Sequence, residues 1–104
     1  MRTSKSINSA LWPDNVKEAR EVQGRLKKRL KIRPLKKTPL YLASVDAAFG
    51  DEKAIAAACL YSYPDLEKLD EAVVVRECTF PYVPGYLSFR EGPAVIAAIE
   101  KLRI

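Results

Sequence analysis

The stretch from Phe80 to Pro93, FPYVPGYLSFREGP, constrains this chain more than any other. It gathers three of the seven prolines, two of the four glycines and four of the eight Phe and Tyr residues. Pro81 and Pro84 flank Tyr82-Val83. Each proline fixes its own φ and moves the residue before it away from helix, so the backbone here is stiff. A stiff loop that presents an aromatic ring is suited to wedging between stacked bases. The alternative is a proline-rich turn whose aromatics pack on the core. Arg90-Glu91 follow closely, a donor for a base or phosphate beside a carboxylate of the kind that binds metal.

The rest of the chain reads as helix, three strands, loop and helix, an α+β arrangement. Residues 1–12 form a polar tail ending in Ala10-Leu11-Trp12. Pro13 and Asp14 suit a helix start. Val16, Ala19, Val22, Leu26 and Leu30 then recur at helical spacing, predicting a basic helix over 13–32 that Pro34 stops. Tyr41 to Phe49 alternates as a first strand, with Leu42, Ser44, Asp46 and Ala48 on one face. Gly50-Asp51-Glu52 reads as a hairpin loop. Lys53 to Ser62 is a second strand, with helix as the competing reading because AIAAAC is rich in alanine. Tyr63 to Glu67 is a turn, and Lys68 to Thr79 a third strand. A loop over 80–92 and a closing helix over 93–103 complete the chain, the helix burying Val95, Ile96, Ile99 and Leu102.

At 104 residues the chain is expected to form one domain. No apolar run is long enough to span a bilayer, and the basic N-terminus lacks the apolar core of a secretory signal. If the strands around residues 63–68 pair as a hairpin, Cys59 falls opposite about Ala72, away from Cys78. That argues against a disulfide and for a reducing, cytoplasmic setting. With no histidine, a histidine zinc site or a histidine general base is excluded. The net charge of +5 is uneven: residues 1–39 hold 12 Lys and Arg against 3 Asp and Glu, and the remainder holds 6 against 10. A basic first third joined to an acidic remainder suits a polyanion held against a carboxylate centre, though a solvated basic helix face would look the same.

Two carboxylates stand out. Asp46 sits mid-strand among apolar neighbours, where a divalent cation or a hydrogen-bonding neighbour must offset its desolvation. Glu91 closes Ser88-Phe89-Arg90-Glu91, which matches a helix capping box. Proline, however, is better placed at the first position of a helix. A start at Gly92-Pro93 leaves Glu91 free at the helix mouth. Arg90 either contacts a phosphate or pairs with an acid. Asp51, Glu52, Asp65, Glu67, Asp70 and Glu71 read as solvated turn charges.

PYVPGYLSFREGP resembles the wedge and first-helix signature of the endonuclease V family. SVDAAF, from Ser44 to Phe49, resembles that family's first-strand motif, and AIAAACLYSYPDLE its second strand and following turn. The resemblance covers residues 13–104. It implies the N-terminal half of a ribonuclease H-like fold, in a chain that stops about halfway through such an enzyme. It also implies a magnesium-dependent nuclease, with manganese as an alternative metal, that cuts 3′ to deoxyinosine in DNA or cuts inosine-bearing RNA. Asp46 and Glu91 would be the catalytic, metal-binding carboxylates. Tyr82 would be the wedge, within Pro81, Val83 and Pro84. Gly85 would allow close backbone approach, Leu87 would wall the base pocket, and Arg90 would join them at the nucleic acid. The third carboxylate, lysine and histidine of full-length relatives are absent. The resemblance therefore leaves two alternatives to an active enzyme: a nucleic-acid-binding fragment, or a remnant that self-associates or takes a complementary C-terminal chain.

Overall fold

The computed structural model describes residues 12–78 and 80–103. The polar tail, apart from Trp12, lies outside the described residues, as does Thr79 at the expected end of the third strand. The elements are helix α1 (Val16–Arg29), strands β1 (Tyr41–Gly50), β2 (Lys53–Ser62) and β3 (Lys68–Glu77), and helix α2 (Leu87–Glu100). The strands form one antiparallel sheet in the order β1-β2-β3. Strand, not helix, is correct for the alanine-rich segment.

Register follows from a tight first turn. Gly50 pairs with Lys53, so Asp51 and Glu52 alone make the corner. Both have positive φ, 51° and 59°, which matches the right-handed twist of the flanking strands. In the second hairpin Ala58 faces Ala72 and Cys59 faces Glu71. Both cysteines are free thiols.

The main core lies between the sheet and α2. Ala54, Ala56, Ala58 and Leu60 of β2, with Val74 of β3, are buried against Ala94, Ala98 and Leu102. Small residues on both sides let the helix backbone approach the sheet closely. The expected stripe of Val95, Ile96, Ile99 and Leu102 is therefore corrected: Ala94 and Ala98 make the innermost contact, and Val95 and Ile99 flank it half-buried.

The helix bounds also differ from expectation. Helix α1 starts at Val16, because the Asn15 side chain accepts the Glu18 N–H at 2.9 Å and caps it. It ends at Arg29, not residue 32. Leu26 and Leu30 are exposed, and only Ala19 of the apolar series is fully buried, so no packing extends the helix toward Pro34. Helix α2 begins at Leu87, six residues earlier than position 93, with Pro93 inside it. The loop ends at Tyr86, and Leu87, Arg90 and Glu91 are helical.

A second, smaller core joins the N-terminal part to the loop. Ala19, Phe80 and Phe89 are buried there, with Trp12, Val22 and Tyr86 packed around them. Trp12 is thus part of the fold and not the end of a polar tail. Asp70 is no free turn charge either: its carboxylate accepts the Arg103 N–H at 2.8 Å and the Glu71 N–H at 2.9 Å.

Candidate nucleic-acid interface

The loop from Phe80 to Tyr86 is closed at its base by aromatic contacts. The Phe89 ring lies 6.0 Å from Phe80 and 6.3 Å from Tyr86, centroid to centroid. The Tyr86 N–H donates to the Val83 carbonyl at 3.0 Å, and Gly85 takes φ +91°, which only glycine adopts without strain. Pro81 and Pro84 stiffen the span between. With its ends held and its middle stiff, the loop projects Tyr82, which is 68% exposed. Leu87 is 42% exposed at the start of α2. Neither side chain packs in the core.

Arg90 sits behind this tip. Its guanidinium carbon lies 4.3 Å from the Phe49 ring centroid and 5.7 Å from that of Tyr82. The side chain therefore ties the end of β1 to the loop through cation–π contact. Its Nε is buried and, among the described residues, has no hydrogen-bond partner. It forms no ion pair with Glu91; the salt bridges among the described residues join Lys68 to Glu71 and Arg103 to Asp70.

Helix α1 abuts the loop. The Gln23 side-chain amide donates to the Gly85 carbonyl at 3.3 Å. The Tyr86 phenol raises the Arg20 guanidinium above its ordinary range through a side-chain hydrogen bond. The same helix exposes Lys17, Lys27, Lys28 and Arg29. The basic helix and the loop that carries Tyr82 consequently pack side by side, an arrangement suited to a phosphate backbone beside a stacking platform.

The two carboxylates are placed differently. Asp46 is exposed on β1, opposite Ala57. The pleat turns it to the sheet face that α2 does not cover, since Ala47 and Phe49 are the β1 residues packed on the core. One of its oxygens accepts the Ala47 N–H at 2.9 Å; among the described residues the other is left free to bind. Glu91 is half-buried in the second turn of α2. Both are hard oxygen donors, the type magnesium takes. Among the described residues, no group of three or more His, Cys, Asp or Glu side chains is placed to hold a metal.

Trp12, Phe89 and Gly92 were missed as contributors to this region by sequence reasoning. One signal was available: a proline inside a helix leaves a carbonyl that needs a donor from elsewhere.

This is an α+β chain whose stiff aromatic loop and basic helix form one surface. Residues 24–104 match the family model of endonuclease V. The endonuclease V of Roseiflexus sp. is 43% identical over 93 residues, covering 89% of this chain and 42% of that protein. That of Nostoc punctiforme is 40% identical over 95 residues, covering 88% and 43%. Among solved structures, endonuclease V from Streptomyces avermitilis superposes with a TM-score of 0.82 at 38% identity, over 91% of this chain and 43% of that one. Endonuclease V from Ciona intestinalis, solved with a 24mer DNA containing an inosine followed by a ribo-adenosine, shares the fold at 23% identity and a TM-score of 0.59. There the match covers 71% of this chain and 34% of that one. The chain belongs to the endonuclease V family. It spans a little over two-fifths of the length of the relatives it matches. No helix among the described residues is long and apolar enough to cross a membrane.

Proposed function

We propose that this chain serves a magnesium-dependent endonuclease of the endonuclease V type, which cleaves the phosphodiester 3′ to deoxyinosine or within inosine-containing RNA. The observation that carries the reading is Tyr82, 68% exposed on a proline-held loop whose two ends pack on Phe89. A fixed aromatic of this kind fills the gap left when a base leaves the stack. Pro81, Val83, Pro84 and Gly85 hold its backbone, Leu87 borders the vacated space, and Arg90 lies behind it for the nucleic acid. Asp46 and Glu91 would hold the metal. Bound magnesium supplies activation of water and stabilisation of the leaving oxygen. Two carboxylates make an incomplete ligand set, and the further length found in the relatives is where a third donor would lie. Manganese meets the same oxygen donors.

The second reading is a binding module that does not cut. It is favoured by the exposed basic residues of α1 beside the loop, together with the lack of a three-ligand group among the described residues.

Cleavage of a labelled deoxyinosine duplex with magnesium, by the chain and by Asp46→Ala, separates the two. Binding is followed in parallel with calcium in place of magnesium. Cutting that disappears in Asp46→Ala supports the nuclease. Binding without cutting supports the module, and failure of both sinks each reading for this chain.

A further inference from the structure

Pro93 is the seventh residue of α2, and a proline there leaves the carbonyl four residues earlier without its helical donor. That carbonyl belongs to Phe89. It accepts instead from the Trp12 indole N–H, at 2.8 Å across 77 residues of sequence. The indole reaches it over Gly92, where any side chain would overlap the ring: a Cβ built on Gly92 collides with two carbons of the indole. Proline opens the acceptor, glycine opens the space, and tryptophan fills both. The Trp12 ring also packs on the Phe89 ring, with centroids 5.5 Å apart. Phe89 in turn contacts Phe80 and Tyr86, the two ends of the loop that projects Tyr82.

We infer that Trp12 is the positioning residue of this loop. Its N–H replaces the helix donor that Pro93 removes, and its ring fixes Phe89 and, through Phe89, both loop ends. Trp12 acts only through Phe89. The functional consequence rests on reading Tyr82 as a wedge; the lock itself does not.

The test is amide hydrogen exchange in the chain, in Trp12→Phe, in Pro93→Ala and in the double variant. The Tyr86 and Phe89 amides report on the loop, since they donate to Val83 and Tyr86 carbonyls at 3.0 and 3.1 Å. Phenylalanine keeps a ring but removes the N–H. Exchange at Tyr86 and Phe89 should quicken about tenfold in Trp12→Phe, the loss expected for one hydrogen bond with its acceptor left unmet, while the β2 amides stay unchanged. Affinity for an inosine-containing duplex, measured with calcium, should fall by a similar factor. Adding Pro93→Ala should restore both, because alanine, unlike proline, returns a backbone donor to the Phe89 carbonyl.

An equal loss with and without Pro93→Ala overturns the inference. So does a change spread evenly over β2 and the loop. Loop amides that respond without any change in duplex affinity keep the lock and remove the wedge reading. A chain that binds no duplex also removes that reading and leaves the exchange pattern to decide the lock. If Trp12→Phe does not fold, Gly92→Ala serves instead. It should push out the indole, shift the emission of the sole tryptophan to the red and quicken the same two amides; unchanged emission and exchange overturn the inference.

Discussion

Gly92 and Asp70 show how much single positions carry here. Adding one methyl at Gly92 drives it into the Trp12 ring, and overpacking of this kind costs about 1–3 kcal/mol. Gly92→Ala should therefore lower the melting temperature by several degrees, which a calorimetric scan would read; an unchanged midpoint would mean the indole sits elsewhere. Asp70 offers a pH test. Backbone N–H groups of Arg103 and then Glu71 hold its carboxyl below the ordinary carboxylate range. A depressed folded pKa stabilises the fold above the unfolded pKa, about 3.9, and that contribution is lost as pH falls through the lower folded value. Asp70→Asn should weaken the protein near neutrality and narrow its difference from the parent toward pH 3. Denaturant midpoints between pH 3 and 7 that stay parallel would sink this assignment.

The hairpin between β1 and β2 places two ordinary residues where backbone sterics favour glycine. Asp51 and Glu52 both lie at positive φ, a strain on the order of 1 kcal/mol each. The Glu52 carbonyl accepts the Cys78 N–H at 2.8 Å, so the corner also anchors the end of β3. Glu52→Gly keeps that carbonyl and relieves the strain. It should stabilise by about 0.5 kcal/mol after the extra freedom of the unfolded chain is counted, and raise the midpoint by about 2–4 °C. A lower midpoint would mean the Glu52 side chain has a role of its own. Helix α1 depends on its cap and on a narrow contact. Asn15→Ala should cost about 1 kcal/mol and reduce helical circular dichroism, because the Glu18 N–H loses its acceptor.

For the whole molecule, the described residues cover the sheet on one face only. On the other, Leu42, Ile55, Val73 and Val75 are 40–59% exposed, and β1 is an edge strand whose Tyr41 and Val45, on the opposite face, are also exposed. An apolar face that ends in an unpaired strand promotes pairing with a second chain. A second copy is expected to join along β1. Light scattering over a concentration series should show association, and Val45→Lys should suppress it. A chain that stays monomeric at high concentration would remove this expectation.

Some of this architecture was legible locally. The bounds of β2 follow from its flanking turns and from the resemblance of AIAAACLYSYPDLE, and the rigidity of the Tyr82 loop follows from Pro81 and Pro84. Motifs around Asp46 and Tyr82 carried the family. The start of α2 was not legible, because proline's preference for a first helical position is a local rule. Here a donor from Trp12 satisfies the carbonyl that Pro93 leaves open, and no local rule sees a partner 77 residues away. The same holds for Asp70, whose partner at Arg103 arrives only when α2 packs on the sheet. Sequence by itself determined which segments are strands, which loop is stiff and where charge gathers, since these depend on neighbours along the chain. Tertiary structure alone decided where α2 begins, that Tyr82 projects with Arg90 behind it, and that Trp12 belongs to the loop. Those depend on buried donors, acceptors and rings meeting across the fold.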